Sequence, residues 1–146
     1  MVEKFTSDPI ELPPADHAFV RSDLLFHGLD HSGASFEARV FVDPRGVSRD
    51  ADSGHRAYVG SFFILGHGGC FGDVGHCDIP SDRDPFDLRP AHQLEPTLRI
   101  LTVTDAVRRL LDRGVDAAKV TVVAHTAGLA SNDVLAFEQV RLATYA

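Results

Sequence analysis

Residues 35–42 read SFEARVFV. Phe36, Ala38, Val40 and Val42 alternate with Glu37, Arg39 and Phe41. That period of two is the one a half-buried strand requires, and it sets the chain on a β course. Asp43-Pro44-Arg45-Gly46 follows as a turn. Residues 47–55 are polar and are expected as an exposed loop. Residues 57–65, AYVGSFFIL, form a nearly continuous apolar run, expected as a strand buried on both faces. Further strands are expected over Ala18–Phe26, Leu98–Val103, Lys119–Ala124 and Val134–Leu142, with Gly128 to Asn132 turning between the last two. One helix interrupts them. Thr104 or Asp105 can cap it, Ala106, Val107, Leu110 and Leu111 form its apolar stripe, and Gly114 stops it. Residues 1–16 read as an extended arm, because Pro9, Pro13 and Pro14 block helix. Residues 17–146 then make a single domain, an all-β sandwich of about seven strands with one short α-helix.

Bulk properties narrow the function. A chain of 146 residues fits one domain with a real core. Net charge is −7, and neither a basic run nor an aromatic-basic stripe is present, so nucleic acid is not an expected partner. No stretch of eighteen apolar residues occurs, so no membrane span is expected. The opening MVEKFTSDPIELPPADH lacks the apolar region of a secretory signal, and a cytoplasmic location is expected. In that compartment cysteines serve metal or redox chemistry more often than permanent disulfides.

The chemistry concentrates in residues 66–78, GHGGCFGDVGHCD. His67, Cys70, His76 and Cys77 lie there in the spacing His-x2-Cys-x5-His-Cys, and both cysteines of the chain are among them. Thiolates and imidazoles together suit copper in either oxidation state, or zinc. Adjacent side chains of a regular strand point to opposite faces, so His76 and Cys77 reach one ion only where Gly72 and Gly75 break the backbone. Two other readings stand beside metal binding: a Cys70–Cys77 disulfide closing the loop, and two inert thiols. His27 and His31, in FHGLDHSG, are reserve ligands from a neighbouring loop, or simply solvated turn residues.

Other groups carry less. His17, His55, His92 and His125 are expected as surface or satisfied histidines. Asp73, Asp78, Asp82, Asp84 and Asp87 lack calcium-loop spacing, and Arg83 and Arg89 are interleaved with them. No GxSxG, P-loop or dinucleotide fingerprint is present, and no catalytic residue is assigned.

In order along the chain, HSGASFEARVFV, AYVGSFFILGHGGCFGDVGHCDIP, RILTVTDAVRRLL and AKVTVVAHT resemble the C-terminal domain of tyrosinases and polyphenol oxidases. The plant enzymes carry there a KFDV-type strand, an AGSF-type strand, a TxAL-type helix and a VTLV-type strand. The matching places are Phe36 to Val42, Val59 to Phe62, Thr104 to Leu110 and Val120 to Val123, and the likeness covers roughly residues 18–143. The Gly/His/Cys loop resembles the version attached to some bacterial tyrosinase-like proteins. The resemblance implies a β-sandwich that packs over a type 3 copper site, and it implies copper handling. The family's dicopper centre needs six histidines on a helical bundle, and no helical HxxxH pair occurs here. The resemblance therefore implies a cap or copper donor for a tyrosinase-like catalytic protein, an independent mononuclear copper protein, or a fragment of a larger product. The alternatives are a small mononuclear copper oxidoreductase, and a metal-free interaction domain with a structural disulfide.

Overall fold

Alternating apolar residues build two antiparallel sheets that face each other. The computed structural model describes residues 2–67, 85–86, 88, 96–126 and 134–146. In chain order the strands before the helix are β1 (Val2–Thr6), β2 (Ile10–Glu11), β3 (Arg21–Leu29), β4 (Phe36–Asp43), β5 (Tyr58–Ile64) and β6 (Thr97–Thr102). Helix α1 (Thr104–Asp112) follows, then β7 (Ala117–Thr126) and β8 (Gln139–Tyr145). One sheet runs β1-β7-β4-β5, with β2 also paired to β7, and the other runs β6-β3-β8. This is the expected all-β sandwich, with one short helix among the described residues.

The core lies between the sheets. Ala38 and Val40 of β4 and Val122 and Ala124 of β7 meet Leu24 and Phe26 of β3 there, all essentially without solvent contact. Helix α1 closes one margin with Ala106, Val107 and Leu110. The opposite residues of β4 and β7 form a smaller apolar cluster on the outer face, where Phe41 and Val123 are covered by Val47 and Ala57. The segment after β4 thus folds back over the sheet rather than standing free.

Several local expectations shift. AYVGSFFIL forms an edge strand, with Phe63 69% exposed on its outer side, rather than a strand buried on both faces. The apolar run is real: Val59, Phe62 and Ile64 pack in the main core and Ala57 and Tyr58 in the outer cluster, while Phe63 and Leu65 face solvent. FHGLDHSG does not begin as a turn. Strand β3 continues to Leu29 through a bulge, with Gly28 at φ +64°. Val134 precedes β8 instead of opening it, and the amides of Val134 and Leu135 donate to the Glu3 carboxylate at 2.8 and 3.3 Å. Val2–Thr6, inside the segment read as an arm, pairs with Thr121–His125 and brings Glu3 to that place.

Candidate metal centre

The register puts three chain connections at one end of the sandwich. Phe36 pairs with both Ile64 and Thr126, and Leu29 pairs with Thr97. Residues 30–35, the chain leaving β5, the chain entering β6 and the chain leaving β7 therefore share that end. The loop with both cysteines starts there, directly after β5.

The 30–35 turn is built by short-range polar contacts. Asp30 Oδ1 accepts from the Ser32 amide at 2.8 Å, and the Asp30 amide donates to the Ala136 carbonyl at 2.8 Å. The Ser32 amide holds the Asp30 carboxyl below the usual carboxylate range, helped by the Ser32 side chain and the neighbouring His31. Gly66 then lies against the backbone of Gly33 and Ala34 so closely that a side chain would collide with it. Its amide donates to Ser35 Oγ at 3.0 Å.

That close approach seats His67 on His31. The His67 amide donates to the His31 carbonyl at 3.0 Å, and His67 Nδ1 lies 3.3 Å from the same oxygen. A carbonyl only accepts, so a hydrogen bond here needs the tautomer with its proton on Nδ1, which in the neutral ring leaves the lone pair on Nε2. Metal-bound histidines are commonly oriented by just such a bond to a carbonyl. The two rings meet edge to face, 5.1 Å between centroids and 71° between planes.

The remaining candidates divide. His27 is on β3 opposite Gln139, with Nε2 buried and without a hydrogen-bond partner among the described residues. Cys70, His76 and Cys77 lie outside the described residues, as do His92 and Asp73, Asp78, Asp82, Asp84 and Asp87. Among the described residues no group of three or more His, Cys, Asp or Glu side chains gathers as a metal site. His55 is structural: its Nδ1 accepts from the Ala57 amide at 3.1 Å and its ring packs on Phe41. His125 pairs across β7 and β4 with Glu37, and its Nε2 is buried without a hydrogen-bond partner among the described residues. Burial pushes its pKa down, and the Arg39 cation adds to that, against an opposing pull from Glu37. Glu37 itself is held below the usual carboxylate range by Arg39, whose guanidinium donates to both carboxylate oxygens at 3.1 Å.

Two contributors escape sequence reasoning. Gly66 and Ser35 set the approach of the two loops, yet neither is a ligand type. The only sequence signal was Gly66 itself, placed directly after an apolar strand and before a histidine.

No family model matches the chain, and no curated protein matches it. Among solved structures, a latent aurone synthase, a polyphenol oxidase from its natural source, matches with a TM-score of 0.57 at 14% identity. The match covers 98% of this chain and 24% of that one. At that identity the likeness is one of fold. This chain spans about a quarter of the length of that polyphenol oxidase.

Proposed function

We propose that this chain is a tyrosinase-type cap domain that holds copper at the end of the sandwich where His31 and His67 meet, in the service of a tyrosinase-like catalytic chain. The observation that carries the reading is the His31–His67 contact at the root of the loop with Cys70, His76 and Cys77. Two imidazoles from separate connections converge where the only two thiols of the chain begin. The fold likeness to part of a polyphenol oxidase supports the cap role.

The donor chemistry fits copper. Thiolates favour Cu(I), imidazoles accept Cu(II), and a mixed set suits a site that takes copper up and passes it on. His67, oriented through Nδ1, would present Nε2, His31 would stand beside it, and the cysteines would complete the set. The reading takes the cytoplasm as its setting, where thiols stay reduced. Helix α1, the one helix among the described residues, carries no histidine, and in this reading a type 3 dicopper centre belongs to the catalytic partner. This chain's part is then to bind and orient copper, and no catalytic step is assigned to it.

Elemental analysis and competition with a copper(I) chelator test the reading. Copper near one equivalent is expected, lost in Cys70→Ala/Cys77→Ala and weakened about tenfold or more in His31→Ala/His67→Ala, with the fold intact. A metal-free protein with no titratable thiols would overturn it in favour of the disulfide-bridged interaction domain. Substrate-dependent oxygen uptake by the copper-loaded chain alone would favour the small oxidoreductase instead.

A further inference from the structure

A second polar cluster lies at the opposite end of β5. A cleft of about 170 Å³ separates the C-terminal half of α1 from the start of β5. Three arginines line it: Arg109 in the last turn of α1, Arg113 at its C-cap, and Arg56 from the segment before β5. Its floor is apolar, with Val59, Ala106 and Leu110. Strand β5 is seven residues long, which puts this cleft roughly 20 Å from His67. The two sites are separate.

In a chain of net charge −7, three converging cations call for an explanation. Cations near the end of a helix complement its dipole, which accounts for Arg109 and Arg113. It does not account for Arg56, which comes from another part of the chain. Nor are the guanidinium groups consumed by partners. Among the described residues, those of Arg109 and Arg113 have no ion pair or hydrogen bond. Arg56 Nη2 stands 3.9 Å from Asp43 Oδ2, beyond hydrogen-bond range. The other Asp43 oxygen accepts from the Arg45 amide at 2.9 Å, which fixes that carboxylate to its own turn.

We propose that this cleft binds a phosphate monoester. Three arginines and Asp43 leave a net charge of +2 in the lining, which a phosphate dianion neutralises. Guanidinium forks match phosphate oxygens with paired hydrogen bonds. The apolar floor takes the organic part of the ester. The cleft is smaller than the roughly 300–1,000 Å³ of drug-sized pockets, so it receives the phosphate and the group next to it rather than a whole large ligand.

Amide NMR of the full chain, titrated with phenyl phosphate, inorganic phosphate and benzoate at constant ionic strength, tests this. Phenyl phosphate is expected to bind saturably, to bind more tightly than either other probe, and to move the amides of Ala57, Val59 and Ala106. Arg109→Gln/Arg113→Gln should weaken it about tenfold or more. Arg109→Lys/Arg113→Lys keeps the charge and loses the forks, so it should weaken binding less but measurably. If the glutamine variant does not fold, the lysine variant decides. Absence of saturation, benzoate binding as tightly, shifts centred elsewhere, or unchanged affinity in the lysine variant would each overturn the proposal.

Discussion

Two side chains decide the copper reading, and one glycine lets them meet. Because Gly66 packs on the backbone of Gly33 and Ala34, Gly66→Ala forces the two loops apart. Overpacking of this kind costs about 1–3 kcal/mol. Copper affinity should fall while the melting of the sandwich shifts only modestly, as calorimetry with and without copper will report. Unchanged affinity would mean that the approach of the loops does not matter to the site. His125 makes a separate prediction. Its folded pKa is depressed, so the folded state binds fewer protons than the unfolded state. Its contribution to stability is complete above the ordinary histidine value, about pH 6.5, and is lost as pH falls from there toward the depressed folded value. His125→Gln should flatten urea stability across that window, and an identical slope would refute the role. At this scale legibility was uneven. The ligand types of His31 and His67 were plain in the sequence, but their meeting was not. It depends on Phe36 pairing with Ile64, and pairing register is not written in either segment alone.

Among the elements, α1 was readable from its apolar stripe and from Gly114, which ends it at φ +75°. Its start was not. Thr104 looks like a capping residue, yet the N-cap position is Val103 and no side chain caps the helix. Thr104 Oγ1 instead accepts from the amide of Ser22 at 3.0 Å, tying the helix to β3. A polar side chain of that kind can serve its own helix or a distant strand, and local sequence does not choose between them. Ser22 is fully buried, so Thr104→Ala would orphan its amide and cost about 1–3 kcal/mol in urea denaturation. Thr104→Ser, which keeps the oxygen, should cost less, and equal losses would show that the bond is not the reason. The alternation of SFEARVFV was an accurate guide to β4, whose inner and outer faces follow it residue by residue. The continuous run AYVGSFFIL was a poorer guide to β5. Apolar content says that a strand forms, while its place at a sheet edge depends on which strands pair with it. The pairing of Val2–Thr6 with β7 was hidden for the same reason.

Across the whole molecule, the two ends of the sandwich carry different side-chain groups. One end gathers the connections that bring His31 and His67 together, and the other holds the arginine cleft beside α1. The sheets lie between them, with β7 and β4 at the centre of the larger one. The central claim concerns the first end: that thiols of the 66–78 loop and the His31–His67 pair bind one copper together. The most direct test is the absorption spectrum of the reduced chain during anaerobic addition of Cu(II). The account predicts a thiolate-to-copper charge-transfer band that saturates near one equivalent, disappears in Cys70→Ser/Cys77→Ser and weakens in His31→Ala/His67→Ala. No band, or a band unchanged when both histidines are replaced, would contradict it.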